Sequence, residues 1–233
     1  MPDTPAALPL HQQISELLMR EIASGRLVEG ERLPPEREYA ARLGTSVRTL
    51  RKALAELSQK GMLERVQGSG NYVRRNAQAE SVYSMFRLEL PEGGGLPRAE
   101  VLDIARLGKP ADLPAFGDGA EATRIRRLRR LNDTIIAVEE IWLDGAAGGI
   151  DPARLGDSLY LYYKTHLGFW ITRAEDRVTI GEVPDWAPAA FTLPPGTVTG
   201  YIERLSWAQG PAPVEFSRTW FDTARAHYVQ RLI

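Results

Sequence analysis

The 233-residue chain has no cysteine, which excludes disulfides and thiolate metal sites and fits a reducing, cytoplasmic compartment. It has no apolar run near the ~20 residues that a membrane-spanning helix needs, and no secretory signal pattern. Histidine is scarce, at 3 residues. His166 and His227 stand apart from each other, so no metal is expected, and His11 reads as an exposed or capping residue. No nucleophile–base pair and no cofactor motif is visible, so neither an enzyme nor a bound cofactor is expected. An excess of one charge is also missing: 29 Lys+Arg stand against 30 Asp+Glu, a net of −1.

That near-neutral total conceals a division. Residues 1–76 hold 12 basic and 9 acidic side chains, or +3, and the remainder holds 17 and 21, or −4. Within 37–75 the count is 9 against 3, or +6. Tryptophan is absent from the first 141 residues, all 5 lying beyond them. The chain is long enough for two cores, and its composition is that of a globular protein. A basic N-terminal module of about 75 residues therefore precedes a differently composed second one.

Leu33-Pro34-Pro35-Glu36-Arg37-Glu38-Tyr39-Ala40 through Arg51-Lys52-Ala53-Leu54 reads as two short helices broken at Leu43-Gly44-Thr45. Pro35 suits a first helical position, and Gly44 the left-handed residue that ends a helix. Ser46 can cap the second helix by accepting from the amides around Arg48 and Thr49. Val47, Leu50, Leu54 and Leu57 make its apolar stripe, leaving Arg48, Thr49, Arg51 and Lys52 outside. Those residues sit at the end that a helix laid in the major groove presents to bases. Leu63–Gln67, Gly68-Ser69-Gly70 and 71–75 then read as a glycine-tipped hairpin, a wing whose tip can approach the backbone or minor groove closely.

The run Leu33-Pro34-x-Glu36-Arg37-Glu38, Arg51-Lys52-Ala53-Leu54, Gly61 and Gln67-Gly68-x-Gly70-x-Tyr72-Val73 resembles the winged helix-turn-helix domain of GntR-family transcriptional regulators. The resemblance implies that Arg37, Thr49 and Arg51 contact DNA, with Gln67 and Gly68 at the wing. Two departures stand out. Pro35 replaces the family's usual serine. Ser46-Val47-Arg48-Thr49 also moves the usual arginine one place along, a rotation of about 100° around the helix.

Before this module, 2–9 is a proline-rich arm, and Leu10, Ile14, Leu17, Leu18 and Ile22 mark an amphipathic helix ended at Gly25. After it, 76–80 is polar and aperiodic, giving a winged helix-turn-helix at 8–75, a linker at 76–82 and a second domain at 83–233. Glu92-Gly93-Gly94-Gly95 lacks the Lys-Ser/Thr of a phosphate-binding loop and reads as a plain loop.

The second domain reads as α+β, an antiparallel sheet with helical pieces near 111–116, 158–167, 185–191 and at the end. Thr123–Leu131 and Ile135–Leu143 form a hairpin. With Asn132-Asp133-Thr134 as a three-residue turn, Arg127 faces Glu139 and Arg129 faces Ala137. Alternation puts Ile125, Arg127, Arg129, Leu131, Ile135, Ala137, Glu139, Ile141 and Leu143 on one face; the other, from Arg124 to Trp142, reads as the wet side. The Arg127/Glu139 pair is open to two readings, a pocket or a structural ion pair. Arg204-Leu205-Ser206 leading to Val214-Glu215 echoes the hairpin. The cluster of Tyr160, Tyr162, Tyr163, Phe169 and Trp170 reads as core or dimer surface.

Arg127-Leu128-Arg129, Val138-Glu139, Ser158-Leu159-Tyr160 and Pro213-Val214-Glu215-x-Ser217 resemble the UTRA effector-sensing domain of the HutC subgroup of that family. The resemblance implies a chorismate-lyase-like fold, a homodimer and a small-molecule effector such as a carboxylate, amino acid or sugar phosphate. Arg127, Arg129, Glu139, Ser158 and Glu215 would then line the pocket with Tyr160 of the same motif, since arginines grip anions and carboxylates take amines or hydroxyls. The expected function is sequence-specific binding of a near-palindromic double-stranded operator, most simply as a repressor, under metabolite control. The alternatives are a non-sensing dimerisation domain, or a lyase-like enzyme domain fused to the DNA-binding module.

Overall fold

Ile14, Leu17, Leu18 and Ile22 form the buried face of α1 (Leu10–Ala23) in the computed structural model, and the chain turns away at Gly25 with φ +70°. Residues 8–74, 76 and 81–231 are described; most of the expected arm, residues 77–80 of the expected linker, and Arg75 lie outside them. The chain divides into two compact units, Leu8–Arg87 and Leu88–His227.

In the first unit α2 (Glu36–Arg42) and α3 (Val47–Gln59) flank Gly44, whose φ of +61° favours a residue without Cβ. Pro35 is not the first helical residue. Its ψ of 136° leaves it at the cap, where its carbonyl accepts from the Tyr39 amide at 2.9 Å. Leu50, Leu54 and Leu57 close onto Ile14, Leu18 and Ile22 of α1, onto Met62, and onto Leu63 and Val73 of the wing, in one core. His11 ties α1 to α3 through Glu56, Nε2 to Oε1 at 3.1 Å.

The wing is β1 (Leu63–Val66) and β2 (Gly70–Val73), with Leu63 opposite Val73 and Val66 opposite Gly70. A further strand-like segment, which the sequence did not suggest, pairs with β2. Gly30 N donates to Val73 O at 2.9 Å, Leu33 N to Asn71 O at 2.9 Å, and Arg32 bridges Tyr72.

The second unit is built on a six-stranded antiparallel sheet. Its strands are β3 (Pro97–Gly108), β4 (Glu121–Leu131), β5 (Thr134–Asp144), β6 (Arg173–Glu182), β7 (Val198–Trp207) and β8 (Glu215–Phe221), in the order β3-β4-β5-β8-β7-β6. α4 (Leu159–Tyr162), continued by a wider turn to Leu167, packs on one face with Leu155 and Ile171 against Ile125 and Ile141. This confirms helix at 158–167. The other three helical pieces are not helices: residues 111–116, 185–191 and the described end are turns and extended chain. Pro114 and Pro188 interrupt two of them, each biasing its predecessor away from helical dihedrals. At the end, Asp222 accepts from Ala224 N at 2.9 Å and closes a single turn. The Glu92 loop is a tight turn, Gly93 N donating to Leu90 O at 2.7 Å.

The β4–β5 register places Arg127 opposite Glu139 and Arg129 opposite Ala137, as expected, by a different route. The turn has two residues, Leu131 facing Thr134, and a bulge between Arg129 and Arg130 absorbs the difference. Ile135 consequently lies on the opposite face, where it packs beside Leu128, Val138 and Trp220. Nor is that face wet. Val183, Trp186 and Phe191 cover one part of it, and Phe116 covers Trp142 and Phe216. Its charges are paired: Arg126 Nε meets Glu140 Oε2 at 2.8 Å and stacks over Trp186, and Glu140 also accepts from Trp142 Nε1 at 3.0 Å.

Candidate nucleic-acid interface and effector site

The tip of α3 is held by its own side chains. Ser46 Oγ accepts from the Thr49 amide at 3.1 Å and lies 2.8 Å from Thr49 Oγ1, so the cap also fixes the threonine. Val47 packs against the core, and Arg48 takes the exposed position next to it. Arg37, Ser46, Arg48, Arg51, Lys52, Gln67 and Gly68 are exposed, and Thr49 is half-buried. Arg51 is anchored by Glu36, Nε to Oε2 at 2.6 Å, and its side chain is 66% exposed. Among the described residues Arg37, Arg48 and Lys52 have no carboxylate partner. A cavity of about 800 Å³ separates residues 32–37 from residues 65–71, bringing Arg37, Gln67 and Gly68 to one groove together with Arg32 and Arg65. Sequence reasoning assigned no role to the last two.

In the second unit one face of the sheet carries a polar row, buried at Arg127, Glu139, Ser206, Glu215 and Ser217 and half-buried at Thr219, Arg204 and Asp176. Arg127, Glu139 and Thr219 lie in register across β4, β5 and β8; Ser217, Arg204 and Asp176 follow across β8, β7 and β6, and Glu215 faces Ser206. Arg127 Nε and Nη2 both reach Glu139 Oε1 at 2.5 Å, and Arg129 Nη1 stands 3.4 Å from the same oxygen. Burial alone would push Glu139 up; the charges of Arg127 and Arg129 overcome it and hold the carboxyl below its ordinary range. Arg127 Nη1 is buried and has no hydrogen-bond partner among the described residues.

Glu215 lies in a different environment. It accepts from Tyr163 Oη at 2.5 Å and Ser206 Oγ at 2.9 Å, with Tyr160 Oη at 3.4 Å. Burial outweighs these hydrogen bonds and the charges of Arg204 and Arg127, and raises its pKa. Burial and the Glu215 charge likewise raise Tyr160 and Tyr163, keeping both as hydroxyl donors. The structure thus brings Arg127, Arg129 and Glu139 together, and separately Tyr160 and Glu215. The Ser158 hydroxyl is taken up in capping α4, accepting from Leu161 N at 3.2 Å. Asp176 was missed, and Tyr163 was read as core or dimer surface and Ser206 only as part of the hairpin echo. The echo at 204–215 pointed to Arg204, but its partner is Asp176 of β6, at 2.5 and 2.7 Å, not Glu215.

The opposed shifts of the two glutamates give a testable pH dependence. Glu139, depressed in the folded state, contributes stability above the ordinary carboxylate range that is lost as pH falls through its folded value. Glu215, raised, contributes stability below that range that is lost as pH rises through its folded value. Glu215→Gln is therefore expected to gain stability over wild type as pH is raised out of the ordinary carboxylate range and through the folded value of Glu215. Parallel melts with a constant difference across that range would contradict it.

A winged helix-turn-helix unit followed by a sheet that buries arginines beside carboxylates defines a DNA-binding regulator with a sensing domain. The chain belongs to the GntR family of bacterial regulatory proteins, matched over residues 10–73, and residues 92–227 match the UTRA domain. It is 56% identical over 233 residues, the full length of both chains, to the HTH-type transcriptional regulator SmoD of Agrobacterium fabrum. It is 25% identical over 234 residues to the HTH-type transcriptional repressor NagR of Bacillus subtilis, covering 97% of this chain and 96% of that one. The possible transcriptional regulator YydK of Bacillus subtilis shares the fold, with a TM-score of 0.53 at 18% identity over 97% of this chain and 100% of that one. The chain is accordingly a DNA-binding transcriptional regulator under the control of a metabolite bound in its UTRA domain. Among the described residues no helix is long and apolar enough to cross a membrane.

Proposed function

We propose that the chain is a cytoplasmic, non-catalytic, homodimeric repressor that releases a near-palindromic operator when a carboxylate, amino acid or sugar phosphate binds on the polar face of its sheet. In this reading 8–75 binds DNA, 76–82 connects, and 83–233 senses and dimerises. Arg48, Thr49, Arg51 and Lys52 read the major groove from the tip that Ser46 caps, and Arg37, Gln67 and Gly68 hold the flank. Two copies related by a dyad place two such tips about one DNA turn apart. The repressor name of the NagR relative supports the sign.

The observation that carries the effector class is the buried Arg127 Nη1, which has no acceptor among the described residues. A buried donor left unsatisfied costs about 1–3 kcal/mol, and a ligand oxygen placed there recovers it. Arg129, Glu139, Tyr160 and Glu215 supply the further donors and acceptors that an acid or hydroxylated ligand needs. Control follows when such a ligand prefers the conformation with poor operator affinity.

The test is a thermal-shift panel of acids and phosphorylated sugars on the full chain, each hit then titrated into an operator complex. A ligand at 100 times its Kd adds about 2.7 kcal/mol, a rise of roughly 5–10 °C, and it should lower operator affinity without being consumed. Turnover would instead make the second unit an enzyme, and a panel without a single shift would leave it a dimerisation domain.

A further inference from the structure

We propose that Arg32 and Arg65 form a second, sequence-independent grip on the operator, clasping a sugar–phosphate strand in the groove between the wing and the segment leading into α2. The proposal rests on the DNA-binding reading above and adds two residues that neither the recognition helix nor the wing tip accounts for.

The groove has two walls of different origin, residues 32–37 and residues 65–71, around a cavity of about 800 Å³. Three cations line it: Arg32, Arg37 and Arg65. Its one carboxylate, Glu36, is already committed to Arg51 at 2.6 Å. Arg32 and Arg65 are exposed, and neither has an acidic partner among the described residues. Uncompensated guanidiniums that line one groove repel one another, and a polyanion removes that cost.

Position is fixed as well as charge. The hydrogen bonds from Gly30 and Leu33 to β2 make Arg32 part of the wing rather than of a loose connection. Its guanidinium lies over Gly70, where an added Cβ would stand 3.3 Å from Nε. On the other strand Arg65 pairs with Asn71, and Ser69 Oγ lies 2.7 Å from Tyr72 Oη, closing the tip. Arg32 and Arg65 are therefore borne by the two segments that flank β2 in one small sheet, and both line the groove. Arginine in such a place takes phosphate oxygens through two N–H groups, a contact that carries no base information.

Binding of the full chain to a random-sequence 30-base-pair duplex, and to the best duplex from a genomic selection, should be titrated from 50 to 200 mM salt. Arg32→Gln and Arg65→Gln are each expected to weaken both duplexes by the same factor and to reduce the log–log salt slope by about 1 per lost phosphate contact. Arg32→Lys should restore the slope. Unchanged slopes in both glutamine variants would overturn the proposal, as would a loss confined to the selected duplex or one that lysine does not rescue. Arg51→Ala, run beside them, separates the two levels. If it abolishes the preference for the selected duplex while the Arg32 and Arg65 variants match wild type, only the second grip fails. If wild type itself prefers no duplex, the DNA-binding reading fails.

Discussion

Arg51→Ala is expected to cost the operator complex about 1–3 kcal/mol per half-site, the worth of a bidentate base contact. Two half-sites in a dimer make that at least about 30-fold in affinity. The folded state should hardly notice, because the side chain is 66% exposed and its ion pair with Glu36 is a surface one. What makes the loss large is preparation. Glu36 fixes Nε, so the terminal nitrogens are presented without the entropy of immobilising a long side chain at the moment of binding. Glu36→Gln keeps a hydrogen-bond acceptor but removes the charge, and should fall between wild type and Arg51→Ala on the selected duplex. Electrophoretic or anisotropy titrations at fixed salt, with melting curves alongside, check both variants. An Arg51→Ala protein that retains wild-type preference for its selected duplex would remove the recognition helix from the account.

The DNA-binding unit was legible because its signals are local. Gly44, the Ser46 cap and the stripe of Leu50, Leu54 and Leu57 each act within one or two helical turns, and all three appear where the spacing put them. The strand-like segment at Arg32 was not legible. Its partners are about 40 residues away, and a short stretch ending in Leu33-Pro34-Pro35 gives no alternation to read. Arg32 was lost with it.

The sheet shows the same limit at longer range. Arg127 and Glu139 were matched because a hairpin is the most local of strand pairings, yet the turn length was wrong and a bulge restored the register. Ile135, on the turn side of that bulge, was assigned to the wrong face as a result. The wet side was misread for a different reason. Four charges in eight positions resemble a solvated surface, whereas Arg126 and Glu140 neutralise each other beneath Trp186. Alternation reports which residues share a face and cannot report what a distant segment lays over it. Arg204 and Asp176 pair between strands joined by a long connection, so only folding brings them together.

Arg127→Ala is expected to lower the stability of the second unit by about 3–5 kcal/mol, because it leaves the buried Glu139 charge with only the longer contact to Arg129. That corresponds to a melting temperature lower by on the order of 10 °C. The single variant therefore cannot separate a pocket from a structural ion pair, since either would damage the response to a ligand. The double variant Arg127→Met/Glu139→Met can. Replacing both members of a buried pair by apolar side chains of similar volume is often neutral or stabilising, so most of the lost melting temperature should return. Operator binding by the first unit should return with it. The response to a ligand found in the thermal-shift panel should stay absent, because the guanidinium that would meet its oxygen is gone. A double variant that melts like wild type and keeps the wild-type dose–response would make Arg127 and Glu139 a scaffold pair and move the effector to the Glu215, Tyr160 and Tyr163 end of the sheet.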